Sequence, residues 1–125
     1  MSDVTTEAIE FNEVCLSTLD TMTAEQLDQL PYGVVGLSAE GLVEIYNATE
    51  SRLAGLLPAG VIGTDFFLST AQCMNNFMVA ERLKSEPKLD ATIDYVLTFR
   101  MRPTPVRLRL LRSESTSRRF LLIQR

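Results

Sequence analysis

An α+β fold built on one five-stranded antiparallel sheet is what this sequence predicts, and three observations predict it. Residues 92–101 alternate apolar and polar side chains apart from Val96, and residues 106–110 repeat the alternation. The stretch between Asn47 and Ser85 loses it and is broken by Gly55, Pro58, Gly60 and Gly63. Strands therefore flank a helical connector, and the order strand, strand, helices, strand, strand, strand gathers the helices on one face of the sheet. A chain of 125 residues holds one domain, residues 1–125, read as an N-terminal helical cap (1–30) on the opposite face and a sheet-bearing core (31–125).

Each element has its local reason. Ile9, Phe11, Val14, Leu16 and Leu19 lie on one side of a helical pattern, and Thr23-Ala-Glu-Gln26 has the form of a capping box opening a second short helix that stops before Pro31. Val34–Leu37 and Leu42–Tyr46 are apolar, branched runs joined by Ser-Ala-Glu-Gly41, which reads as a hairpin. A helix is expected from about Asn75 to Ser85, with Phe77, Met78 and Leu83 turned inward and Pro87 ending it. Ile93, Tyr95, Leu97, Phe99 and Met101 form one face of the next strand; Thr92, Asp94, Thr98 and Arg100 form the other. Val106, Leu108 and Leu110 make a fourth strand, and Phe120–Ile123 a fifth after the polar turn Glu114–Ser117.

Composition narrows the function. The chain has no histidine, which removes Cys-His and Ser-His-Asp catalysis, histidine-ligated haem and nearly all zinc sites, so neither an enzyme nor a metal site is expected. Two cysteines at unlike positions, Cys15 and Cys73, make no disulfide framework. No apolar run approaches the ~20 residues of a membrane span and the start lacks a signal-peptide pattern, so the protein reads as cytoplasmic, with no membrane partner. Residues 1–50 carry ten acids and no Lys or Arg, whereas residues 100–125 carry eight Arg and one acid. Those arginines are expected to meet the acids of the same molecule rather than nucleic acid, because a chain of net charge −4 repels phosphate at long range.

The chemistry resides in Tyr46-Asn-Ala-Thr-Glu50, Val61-Ile-Gly-Thr-Asp-Phe-Phe67 and Met101-Arg-Pro-Thr104, with Cys73 downstream of the second of these segments. Together, in this order, they resemble the photoactive yellow protein family of PAS-fold blue-light receptors, from Glu25 to the end of the sequence. The resemblance implies p-coumaric acid (4-hydroxycinnamic acid) joined as a thioester to Cys73. It further implies that Tyr46 and Glu50 hydrogen-bond the phenolic oxygen, and that Phe66, Leu97 and Met101 wall the pocket. A buried phenolate bears a large desolvation penalty that a tyrosine hydroxyl and a neutral carboxylic acid offset, so Glu50 is expected to be protonated in the dark. The family's threonine beside the pocket tyrosine falls at Ala54, and its screening arginine at Leu56. These departures predict a dark equilibrium with some protonated, ultraviolet-absorbing chromophore.

Each of these residues also has an ordinary structural use. Cys73 could be a small core hydrophobe, Tyr46 a strand residue at the rim and Glu50 a solvated helix acid. The alternative to a photoreceptor is therefore a PAS interaction or sensor module without a chromophore. In either case the expected protein is a monomer or weak dimer acting on a downstream signalling partner that the sequence does not name.

Overall fold

The computed structural model describes residues 9–99 and 102–125. Residues 1–8 of the expected cap, and Met101 of the expected pocket wall, lie outside the described residues.

Two short helices open the chain, α1 (Leu16–Thr21) and α2 (Ala24–Asp28). The capping box before α2 forms as expected: Thr23 Oγ1 accepts from the Gln26 amide at 3.1 Å, and Gln26 Oε1 accepts from the Thr23 amide at 2.9 Å. Strands β1 (Gly33–Leu37) and β2 (Val43–Tyr46) pair antiparallel, and Gly41 closes the hairpin at φ 88°, a left-handed conformation that disfavours any residue with a Cβ. The connector contains α3 (Ala48–Ala54), α4 (Pro58–Val61), a π-helical turn (Phe66–Thr70), a 3₁₀ turn (Gln72–Met74) and α5 (Ala80–Ser85). Three long strands follow: β3 (Leu89–Phe99), β4 (Arg102–Ser113) and β5 (Thr116–Gln124).

The sheet order is β2-β1-β5-β4-β3, with every neighbouring pair antiparallel. Strand β5 thus lies at the centre, which explains the unbroken apolar run Phe120–Ile123. Leu121 and Ile123 point into a core shared with the connector, and Phe120 and Leu122 into one shared with Phe11, Val14, Leu19 and Leu27 of the cap. A strand covered on both faces loses its alternation. The five-stranded antiparallel sheet, with connector helices on one face and the N-terminal helices on the other, is the predicted fold class.

One element differs from expectation. The helix predicted from Asn75 begins only at Ala80, and Phe77 and Met78 are 84% and 49% exposed rather than inward; Leu83 alone of the three is buried. Asn76 is the reason. Its Oδ1 accepts from the amides of Met78 and Val79 at 3.0 and 3.2 Å, a local turn that competes with helix. Its Nδ2 is meanwhile held by Tyr95 Oη at 2.7 Å.

Arg107, Arg109, Arg112, Arg118 and Arg125 meet acids or carbonyls of this same chain. Arg109 is buried, forked onto Asp90 through Nε and Nη2 at 3.0 Å each while Nη1 donates to the Phe11 carbonyl at 2.9 Å. Arg118 bridges Asp20 of the cap at 3.2 Å and Glu44 of β2 at 2.9 Å. Among the described residues no helix is long and apolar enough to cross a membrane.

Candidate functional site

Strand β2 ends on Tyr46, and the chain turns at once into α3, whose first turn carries Glu50. Asn47 makes that turn. Its Oδ1 accepts from the Glu50 amide at 3.0 Å, capping α3, and also from the Val34 amide at 2.9 Å; its Nδ2 donates to the carbonyls of Leu27 and Tyr32 at 2.8 and 3.1 Å. All four capacities of a buried amide side chain are used, so Tyr46 and Glu50 leave the junction in fixed directions. The cap grips the same turn twice more: Asp28 accepts from the Ala48 amide at 2.7 Å, and Thr49 Oγ1 donates to the Leu30 carbonyl at 2.5 Å.

Tyr46 is buried in the connector-side core, and its hydroxyl has no hydrogen-bond partner among the described residues. Burial pushes its pKa well above the usual tyrosine range; the neighbouring Glu50 adds to the rise and Arg125 opposes it. The Tyr46 hydroxyl is therefore a neutral donor. Glu50 is 2% exposed. Its carboxyl passes over β1 at Gly33, where an added Cβ would stand 2.1 Å from Oε1, so a side chain at that position would displace the carboxyl. Beyond it lies Arg125, whose Nη1 and Nη2 donate to Oε1 and Oε2 at 2.7 and 3.2 Å. Burial raises the carboxyl pKa, and the guanidinium, through its hydrogen bonds and charge, pulls it back.

Cys73 packs against the same core from the 3₁₀ turn Gln72–Met74, as a half-buried free thiol among apolar neighbours. Its backbone is fixed rather than its side chain: the Cys73 carbonyl accepts from Tyr95 Oη at 2.6 Å and from Asn76 Nδ2 at 3.3 Å. Phe66 and Leu97 are both buried in this core, Phe66 edge-on to Phe67 with ring centroids 5.2 Å apart. Ala54 is buried and Leu56 packs against the core's edge. Tyr46, Phe66, Leu97 and Cys73 thus share one apolar cluster, whereas Glu50 borders it and is turned toward Arg125.

Four positioning residues went unnoticed in the sequence. Asn47 carries a signal, because Asn three residues before Glu at a strand's end is a helix-start pattern. Gly33 and Arg125 carry none, since each acts on a partner that only the fold brings near, and Asn76 carries only the general turn preference of asparagine.

An antiparallel sheet of this order, with helices on one face and a buried polar pair at the strand-to-helix junction, is the PAS sensor class, and the comparisons agree. The PAS domain of the HTR-like protein from Haloarcula marismortui shares the fold, with a TM-score of 0.64 over 87% of this chain at 16% identity. The photoactive yellow protein domain of the sensor histidine kinase Ppr from Rhodospirillum centenum superposes with a TM-score of 0.80 at 33% identity, covering 87% of this chain and 98% of that one. In sequence, the photoactive yellow protein of Halochromatium salexigens is 33% identical over 97 residues, 75% of this chain and 78% of the relative. That of Rhodothalassium salexigens is 28% identical over 123 residues, 95% and 98% respectively. No protein-family profile matches. The chain belongs to the photoactive yellow protein family.

Proposed function

We propose that this protein is a blue-light sensor that carries p-coumaric acid as a thioester on Cys73. One observation supports this above the rest: a free thiol packs against the apolar cluster that contains Tyr46, whose hydroxyl is unpartnered among the described residues, and the buried carboxyl of Glu50 is near enough to Tyr46 to act on its pKa. The residues suit a phenolic group. Phe66 and Leu97 exclude water, Cys73 Sγ is the attachment atom, and the Tyr46 hydroxyl is a neutral donor with no hydrogen-bond partner among the described residues. When attached, the chromophore supplies a double bond that light isomerises and a phenolic oxygen whose affinity for a proton changes with it.

The chain's own residues then do the rest. The Tyr46 hydroxyl donates and keeps its proton, because burial raises its pKa far beyond neutrality. Glu50, its carboxyl pKa raised by burial, is the residue able to hold a proton at Oε and release it. Once ionised, the carboxylate depends on Arg125 as its partner; a buried carboxylate left without one costs several kcal/mol as a rough estimate, so a change in its state and partners is enough to loosen weakly held structure. The structure most directly attached to Glu50 is the first turn of α3, and through Asn47, Ala48 and Thr49 that turn is bonded to the cap. Release of the cap is the output, read by a signalling partner rather than by catalysis in this domain.

A specific observation favours the alternative, a PAS interaction module without chromophore: Glu50 already has a partner in Arg125. Protein supplied with activated p-coumarate separates the two. The light sensor becomes yellow and gains one chromophore's mass at Cys73, and Cys73→Ala stays colourless; an interaction module stays colourless throughout.

A further inference from the structure

Glu50 has one carboxyl and two claimants. The fork from Arg125 occupies both oxygens, one on each guanidinium terminal nitrogen. A guanidinium has donors only, so the carboxyl it grips in this way is an acceptor at both atoms and carries no proton to give. Proton donation to a phenolic oxygen and pairing with Arg125 therefore exclude each other. Among the described residues, the charged or titratable groups facing Glu50 are few: Arg125 beyond β5 and the neutral Tyr46 hydroxyl from β2, with only the bare backbone of Gly33 from β1. Arg125 makes no other side-chain hydrogen bond among the described residues, yet its side chain is only 16% exposed, so the pair itself holds it down.

We propose that Arg125 is a positioning residue that gives Glu50 a second, ionised resting place, making the carboxyl a two-position switch between neutral donor and clamped carboxylate. The pair stands on the geometry alone; its effect on light sensing rests on the chromophore proposed above. In that setting, when the Glu50 O–H bond breaks and the proton goes to the phenolic oxygen, the charge left on Glu50 is neutralised where it forms. Arg125 thus holds the proton-transferred form and opposes return of the proton. In the dark it competes with the chromophore for Glu50 and enlarges the ultraviolet-absorbing population.

The test begins on the apoprotein. Infrared titration of the protonated carboxyl band, assigned to Glu50 by its loss in Glu50→Gln, is compared between the parent and Arg125→Gln. The midpoint should rise by about one pH unit or more in Arg125→Gln, a tenfold change in the ratio of ionised to neutral Glu50 at fixed pH. Arg125→Lys, which keeps the charge and loses the fork, should fall between them. Identical midpoints in parent and Arg125→Gln overturn the clamp, whatever the chromophore does. In loaded protein, Arg125→Gln should then enlarge the visible dark band at the expense of the ultraviolet one and speed recovery after a flash. A shifted midpoint in a protein that never becomes coloured establishes the clamp and removes the light-sensing function, so the two failures are distinct.

Discussion

The two thiols differ in the way that matters for attachment chemistry. Cys15 is exposed, and hydrogen bonds from the hydroxyls of Ser17 and then Thr18, at 3.2 and 3.1 Å, lower its pKa to about 7. It is therefore nucleophilic at neutral pH. Its alkylation rate should be half-maximal near pH 7, and Ser17→Ala should move that midpoint upward; a midpoint at the ordinary thiol value contradicts the hydrogen-bond account. One consequence is practical: activated p-coumarate should also acylate Cys15, so colour, not mass alone, identifies the functional site. Glu50 supplies the pH dependence at this scale. Its folded carboxyl binds a proton more tightly than the unfolded one, so stability is fullest below the usual carboxyl pKa and falls as pH rises toward the raised value. Urea unfolding from acid to neutral pH should show this decline, and Glu50→Gln should flatten it. Arg119 offers a third case: its Nε and Nη1 are buried with no hydrogen-bond partner among the described residues. Arg119→Met should stabilise the protein by about 1 kcal/mol in urea unfolding, and a loss of stability there would mean that the guanidinium is satisfied.

At the scale of elements, strands were more legible than helices. Ile93, Tyr95 and Leu97 alternate with exposed neighbours, polar except for Val96, because β3 has one covered face, and the Gly41 hairpin and Thr23 capping box announce themselves through residues that act within four positions. The start of α5 was hidden because the Asn76 side chain, polar and unremarkable in sequence, accepts from the amides of Met78 and Val79 through Oδ1 while its Nδ2 donates to Tyr95 Oη and to the carbonyl of Cys73. Glu50 and Cys73 were legible by resemblance, whereas Arg125 was not, since 75 positions separate it from Glu50. The turn at Asn76 has its own prediction. Asn76→Ala should cost about 1 kcal/mol by removing these bonds, and should increase alkylation of Cys73 by freeing its turn. Unchanged reactivity would separate the turn from the thiol.

Across the whole molecule, the charge polarity of the sequence suggests an electrostatic clasp between an acidic arm and a basic sheet, yet the described contacts are mostly apolar. The cap buries Phe11, Val14, Leu19 and Leu27 against Leu111, Phe120 and Leu122, and among its described residues only Asp20 forms an ion pair with a sheet arginine. That pair is partly exposed, so salt screens a small contribution. Phe11→Ala should therefore destabilise the protein by about 3–5 kcal/mol, far more than Arg118→Gln; the reverse order would restore the electrostatic clasp. The cap is bonded to the first turn of α3, and in the proposed sensor these contacts carry the state of Glu50 to the cap. The most direct measurement of that central claim is an infrared difference spectrum of p-coumarate-loaded protein across a blue flash. The account predicts reversible bleaching of the visible band together with loss of a protonated carboxyl signal that is absent from Glu50→Gln. Bleaching without any carboxyl change, or with the same change in Glu50→Gln, would contradict it.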